Sequence, residues 1–280
     1  MRDPAGAHFA ETSSPKLGGG AFVSRRRRAP LHEILRLYLG YLVLALICVS
    51  ISLLALPMRV VLPAASRKRL GRQLIAGAAR GYLKFLTLMG ACRFDLAALE
   101  ALRDAPPMVI APNHPSLLDA LVILSGVPGA TCIMKADIVN SVLFGAAARL
   151  AGYVRNTPLR RMVQCAVDDL HAGSHVLLFP EGTRTTRFPV SGFQGTTGLI
   201  AKNAGVPVQT VFIETDSGFL GKGWSLRWTP RMPITCRIRL GKRFDPPTHT
   251  ARFVAELEQY FQSELAHAQL PEFPVARPRR

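Results

Sequence analysis

From Leu37 to Leu56 the chain reads LYLGYLVLALICVSISLLAL, twenty residues without a charge. No other stretch restricts the possible folds as strongly. At 1.5 Å of rise per residue, a helix of that length covers roughly the 30 Å of hydrocarbon in a bilayer. A buried soluble helix of this composition would need apolar partners on every side. A secretory signal fits poorly, because the basic leader is long and the apolar core exceeds the usual ~7–15 residues. The segment is therefore expected to insert into a membrane. Arg25 to Arg28 and Arg36 precede it, while Arg59 and Arg67 to Arg69 follow it. Cationic flanks at both ends favour the cytosolic side, which one straight span cannot satisfy for both. A helix pair dipping into one leaflet, turned back by Pro57 and Pro63, resolves the conflict.

The charge balance fits such a setting. Lys and Arg total 35 against 18 acidic residues, a formal charge of +17. An excess of this size calls for an anionic counterpart: nucleic acid, anionic membrane lipids or phosphorylated substrates. The five cysteines are scattered and include no CxxC pair, which argues against a disulfide framework or structural zinc and for a reducing, cytosol-facing environment. The expected location is the inner (cytoplasmic) membrane, with the bulk of the chain facing the cytoplasm.

The expected organisation has five parts. Residues 1–30 form a flexible basic arm, and residues 31–63 the membrane-inserted helical segment. Residues 64–90 read as a basic amphipathic helix, with Leu70, Leu74, Ala78, Tyr82, Phe85 and Met89 at helical spacing. Arg67, Lys68, Arg69, Arg72, Arg80 and Lys84 complete it on the polar side, a pattern suited to the headgroup region or to packing on a domain. Residues 91–270 have α/β texture, and 271–280 form a loose tail. Short apolar runs (Met108–Ala111, Val176–Phe179, Val208–Ile213) look like buried strands, with a helix over Leu159–His171 between two of them. The fold class expected is α/β, a mostly parallel central sheet flanked by helices, with an N-terminal membrane-embedded helix or helix pair. Alternation over Ile234–Leu240 predicts a half-exposed strand near the sheet edge, and Arg252–Ala268 a closing amphipathic helix.

Chemistry concentrates in three loops. Asn113-His114-Pro115-Ser116-Leu117-Leu118-Asp119 follows one apolar run and precedes an apolar helix. Pro115 suits a first helical position, which would put His114 at the helix entrance and Asp119 in the second turn. A carboxylate holding one imidazole nitrogen leaves the other free to accept a proton from an alcohol. Phe179-Pro180-Glu181-Gly182-Thr183-Arg184-Thr185 follows a second apolar run. There Arg184 can grip a phosphate, Gly182 admits close backbone approach, and Glu181 can orient Arg184 or substrate hydroxyls. The third loop is Gly152-Tyr153-Val154-Arg155-Asn156. His171 and His175 lack a clear third ligand, so no metal is expected.

Taken in order, NHPSLLD, GYVRN, FPEGTRT and AGVPV closely resemble the glycerolipid (lysophospholipid) acyltransferase family, which includes 1-acylglycerol-3-phosphate acyltransferases. The resemblance spans roughly Cys92 to Phe244. It implies an acyl-CoA or acyl-carrier-protein donor, a lysophospholipid acceptor, no cofactor and no covalent acyl-enzyme. It also implies that His114 is the base and Asp119 its partner, with Arg155, Glu181, Gly182, Thr183 and Arg184 forming the acceptor site. Val154 stands where the family often has an acidic residue, and the segment Glu214 to Trp228 differs from that of a phosphatidate-forming enzyme. The acceptor is thus open between lysophosphatidate and a lipid lacking glycerol phosphate, such as a lyso amino-acid lipid. The competing reading of another class is a basic, membrane-tethered binding protein without catalysis. No nucleic-acid partner is expected, since no recognisable nucleic-acid motif accompanies the charge.

Overall fold

A computed structural model describes residues 29–141 and 144–266. Nearly all of the expected basic arm, and the whole expected tail, lie outside these residues.

The apolar segment forms one long helix, α1 (Leu31–Val61), of 31 residues, about 46 Å at the helical rise. Pro57 lies inside it, so the reversal anticipated there does not occur. The chain turns only at Leu62, whose extended backbone (φ −95°, ψ 139°) is what a residue before proline adopts. Pro63 then precedes α2 (Ala64–Leu88), where its fixed φ and missing N–H cost nothing. One side of α1 packs inward through Leu37, Gly40, Cys48 and Ala55. The other exposes Leu35, Leu42, Leu46, Val49, Leu53, Leu56 and Val60, an apolar stripe along the helix.

The polar side of α2 departs from expectation. Arg72 is buried, not displayed with the other cations. Its Nη2 pairs with Asp169 Oδ2 at 2.8 Å, its Nε donates to the Ala151 carbonyl, and its Nη1 donates to Ser174 Oγ. A buried guanidinium needs such saturation, since desolvating it without partners is costly. Gly71 beside it lets the helix approach the backbone so closely that an added Cβ would lie 2.7 Å from the Ala151 nitrogen. Arg80 donates to the Ser125 carbonyl, while Arg69 and Lys84 remain exposed.

Beyond the hairpin lie β1 (Cys92–Asp95), a short helix α3 (Glu100–Arg103), β2 (Val109–Pro112) and α4 (Asp119–Gly126). Next come β3 (Thr131–Met134), α5 (Ala136–Asn140), α6 (Gly145–Leu150), β4 (Val154–Arg155) and α7 (Leu159–His171). The chain closes with β5 (Val176–Leu177), α8 (Thr196–Ala204), β6 (Val208–Thr215), β7 (Ile234–Phe244) and α9 (Thr250–Leu265). The strands form one seven-stranded sheet in the order β1-β7-β6-β2-β5-β3-β4. From β6 to β4 all pairs are parallel, while β7 runs antiparallel to β6 and carries β1 parallel to itself.

Two apolar clusters cover the two faces. One joins α2, α4 and α6 to the sheet, with partly buried residues of α1 packed against it. The other joins α7, α8 and α9 through residues such as Met162, Ile200, Leu257 and Phe261. As expected, Phe253, Leu257, Phe261 and Leu265 are the buried residues of the closing helix. The alternating burial of Ile234, Cys236 and Ile238 fits a strand second from the edge.

This topology decides where a site can form. The connection leaving β2 passes through α4 on one face, whereas the connection leaving the adjacent β5 passes through α8 on the other. Adjacent strands whose connections diverge open a crevice at their carboxyl ends, the usual ligand position in an open α/β sheet.

Candidate active site

Both leading motifs meet in that crevice. His114 lies two residues beyond β2, and Glu181 four beyond β5. The first loop is held from below by Asn113, whose amide bonds the backbone of β6 twice, Nδ2 to the Ile213 carbonyl at 3.0 Å and Oδ1 from the Ile213 N–H at 2.7 Å. His114 Nδ1 then meets Asp119 Oδ2 at 2.8 Å, and the same oxygen accepts the Ser116 N–H at 2.7 Å. Nε2 has no hydrogen-bond partner among the described residues and is free for a substrate. The imidazole stacks on Phe179, with ring centroids 3.8 Å apart and planes 19° from parallel. A ring pinned at one nitrogen and across one face presents the other nitrogen in a defined direction.

The route to this geometry differs from the one anticipated. Pro115 does not open the helix, and Asp119 is not in the second turn but is the first residue of α4. Residues 116–118 form a turn because their polar groups are engaged elsewhere. Ser116 Oγ donates to the Phe219 carbonyl at 2.9 Å, and the Leu117 N–H donates to the Leu220 carbonyl at 3.1 Å. With Asp119 at the helix start, its side chain reaches back over the turn to His114.

Glu181 is buried and acts as a brace. Its Oε1 accepts the His114 N–H at 3.0 Å and Thr185 Oγ1 at 2.7 Å, and its Oε2 accepts the Ser191 N–H at 2.8 Å. The Thr185 N–H returns a bond to the His114 carbonyl. The carboxylate therefore stitches the second loop to the first rather than contacting Arg184. Gly182 takes φ +64°, and a side chain there would collide with Gln194, the nearest contact being 2.2 Å from an added Cβ. Thr183 is half-buried in the same turn. Burial raises the Asp119 carboxyl above the usual carboxylate range, while the bond from His114 pulls it back. Burial likewise raises Glu181 against the opposing bonds from Ser191, Thr185 and His114.

Arg184 lies close enough to Asp119 to stabilise its ionised form. Its Nη1 donates to the carbonyls of Leu220 and Gly221, at 2.8 and 3.0 Å. Nε and Nη2 are not used in those bonds. Arg155 stands apart from this group. It is exposed on the edge strand β4 and bonds Asn140, three strand spacings from β2, about 14 Å across the sheet.

Several contributors had no role assigned from sequence. Asn113, Ser116 and Phe179 fall inside those motifs, so their position was visible, but their partners lie as far as 103 residues away. Leu220 and Gly221 carried no signal at all, since they act through backbone carbonyls.

Residues 93–214, which include His114, Asp119, Arg155 and the Glu181–Arg184 loop, match the Acyltransferase family model. The chain is 22% identical over 189 residues to a 1-acyl-sn-glycerol-3-phosphate acyltransferase of Pseudomonas aeruginosa, covering 65% of this chain and 71% of that protein. It is 34% identical over 116 residues to a lyso-ornithine lipid O-acyltransferase of the same organism, covering 39% of this chain and 45% of the relative. A chloroplastic 1-acyl-sn-glycerol-3-phosphate acyltransferase of Brassica napus is 33% identical over 123 residues, 41% of this chain and 35% of the relative. The chain thus spans less than half the length of the last two. The fold is shared with the crystal structure of the 1-acyl-sn-glycerophosphate acyltransferase PlsC from Thermotoga maritima, with a TM-score of 0.63 and 19% identity over 85% of this chain and 97% of that one. The family match falls on the segment that builds the His114 crevice, so residues 93–214 carry an Acyltransferase domain, and the relatives named above are acyltransferases.

Proposed function

We propose that this acyltransferase is membrane-bound and moves a fatty acyl group from the thioester of acyl-CoA or acyl carrier protein to the hydroxyl of a lysophospholipid such as 1-acylglycerol-3-phosphate. The observation that carries the reading is the 2.8 Å contact between His114 Nδ1 and Asp119 Oδ2, with Nε2 free at the carboxyl ends of β2 and β5. In this reading Nε2 takes the proton as the acceptor oxygen attacks the thioester carbonyl. The C–S bond then breaks, and the departing thiolate receives that proton from the imidazolium. Asp119 holds the tautomer and stabilises the imidazolium. The thioester supplies its own leaving group, so the protein contributes chiefly position and a base.

Attachment to the cytoplasmic membrane, with the α/β domain on the cytoplasmic side, is supported by the exposed stripe of α1 and by the cations at both ends of the apolar segment. Because α1 packs along the domain and reverses at Leu62, a hairpin lying in one leaflet suits it better than a span. Anionic lipids would complement the basic surface.

A second acceptor has specific support. The 34% identity over 116 residues is to a protein named for lyso-ornithine lipid, an amino-acid lipid. The test is transfer of radiolabelled acyl groups in membranes, from both donors, to a panel of lysolipids, beside membranes carrying His114→Ala. A product that depends on His114 identifies donor and acceptor together, and equal product from both membranes would overturn the mechanism. Arg184→Ala separates the acceptors. It should raise KM roughly 10- to 100-fold for a phosphate-bearing acceptor, the worth of a hydrogen bond to a charged group, and change it little for a zwitterionic one.

A further inference from the structure

The segment joining β6 to β7, residues 216–233, remains to be explained. Its ends are the long strands Val208–Thr215 and Ile234–Phe244, which a short turn could join. The loop instead runs across the mouth of the crevice. Its backbone is bound to the catalytic turn through Ser116 Oγ to the Phe219 carbonyl, the Leu117 N–H to the Leu220 carbonyl, and Arg184 to Leu220 and Gly221. Its side chains form a ladder of rings. Trp228 meets Trp224 edge-on at 5.7 Å, Trp224 meets Phe219 at 5.6 Å, Phe219 stacks on Tyr41 of α1 at 6.4 Å, and Tyr41 meets Tyr38 at 6.2 Å.

The outer end of this ladder is displayed. Leu226 is 60% exposed and Trp228 38%, and Lys222, Arg227 and Arg231 are exposed around them. A single exposed leucine would need no explanation. Here an indole and a leucine are ringed by cations and joined by ring contacts to α1, whose own outer stripe begins with Leu31, Leu35 and Tyr38. Indole and phenol rings favour the boundary between headgroups and acyl chains. Nearby cations are drawn to anionic lipid phosphates. Charge and continuity with α1 select a bilayer over a second protein surface.

We propose that the β6–β7 loop is a second bilayer contact, with Leu226 and Trp228 entering the headgroup boundary and Lys222, Arg227 and Arg231 meeting anionic lipid phosphates. The inference rests on the membrane-bound reading above and extends it to the catalytic domain. Because the backbone of the same loop holds Ser116, Leu117 and Arg184, docking it sets the crevice mouth at the depth where the hydroxyl of an amphiphilic acceptor lies.

Trp224 and Trp228 are the only tryptophans in the chain, so emission excited selectively at tryptophan reports on this loop alone. The full chain, carrying Trp224→Phe so that Trp228 is the sole reporter, is reconstituted in phosphatidylcholine vesicles containing about one part in three phosphatidylglycerol, an anionic surface. Parallel vesicles carry lipid brominated high on the acyl chain, and flotation is measured on both. The expected result is co-flotation with at least roughly twofold loss of Trp228 emission, as for a ring seated ~5–10 Å into the boundary. That loss should be smaller without phosphatidylglycerol, and substituting Lys222, Arg227 and Arg231 together by Glu should abolish the difference. Co-flotation with full emission would overturn the loop contact while leaving α1 as the anchor. Emission indifferent to bromine but dependent on protein concentration would assign the patch to a second copy and overturn it equally. Failure to float would remove the membrane-bound reading, and the loop contact with it. The unsubstituted chain, reporting from both rings, gives the same reading should Trp224→Phe fold poorly.

Discussion

Two acid–base pairs of the same length sit at opposite ends of the sheet. At the carboxyl edge His114 meets Asp119 at 2.8 Å, and at the amino edge Arg72 meets Asp169 at 2.8 Å. The second pair is saturated. Asp169 Oδ2 also accepts from Thr131 Oγ1, Oδ1 faces Lys68, and Arg72 donates to Ala151 and Ser174. It fastens α2 to the domain and has no nitrogen to offer a substrate. The first pair is equally close but unfinished, because the imidazole keeps Nε2 open. Distance therefore does not separate a structural anchor from the pair proposed as the catalytic base; the count of satisfied atoms does.

The largest effect should come from unbalancing the reactive pair. Asp119→Asn leaves the shape but loses the charge that fixes the imidazole, and acyl-transfer kcat should fall about 10²- to 10⁴-fold, measured with the labelled-acyl assay on folded protein. The same substitution has a pH signature. Burial raises Asp119 in the folded state, so its contribution to stability is full below the unfolded value near ~4 and is lost as pH rises through the folded one. Thermal melts across the mildly acidic range should decline less steeply for Asp119→Asn than for the parent, and identical slopes would contradict the raised carboxyl.

The anchor should respond in the opposite sense. Arg72→Ala strands a buried carboxylate and should cost about 3–5 kcal/mol of stability in denaturant melts. Replacing both partners, with Arg72→Met and Asp169→Leu, should recover most of that loss, because a saturated structural pair can be exchanged for apolar packing. No paired apolar replacement of His114 and Asp119 should recover turnover. Activity restored there, or stability not restored at Arg72 and Asp169, would break the distinction.

The smallest expected change is at Glu181, which belongs to both categories as a structural carboxylate beside the reactive pair. Glu181→Gln puts an amide where the Ser191 N–H needs an acceptor. It should cost about 1–3 kcal/mol in melts and lower kcat without raising KM for the acceptor. A rise in KM alone would instead make Glu181 an acceptor contact.

Much of this was legible from sequence, though unevenly. The helix Leu159–His171 and the alternation in β7 follow from local pattern, because periodicity is a local property, while His114 and Asp119 were marked out by the motif that holds them and not by periodicity. The long apolar helix α1 followed from composition, but its passage through Pro57 did not, because the turn is set by the residue preceding Pro63. The burial of Arg72 was hidden for another reason. Its partner Asp169 lies 97 residues away, and a basic residue on an amphipathic helix looks the same whether it meets water or a distant carboxylate. The bracing role of Glu181 was obscured likewise, since two of its donors are backbone N–H groups that every sequence possesses.

The bond between Asn113 and Ile213 carries a consequence for how the protein is made. It joins positions separated by 100 residues, so the loop bearing His114 has no floor until β6 has left the ribosome and paired with β2. Closing so long a loop comes late in folding, since its entropy is spent before the contact repays it. A nascent chain that has already exposed its histidine does not yet hold that loop in place. The loop that brings His114 and Asp119 together is therefore seated only when the sheet is nearly whole.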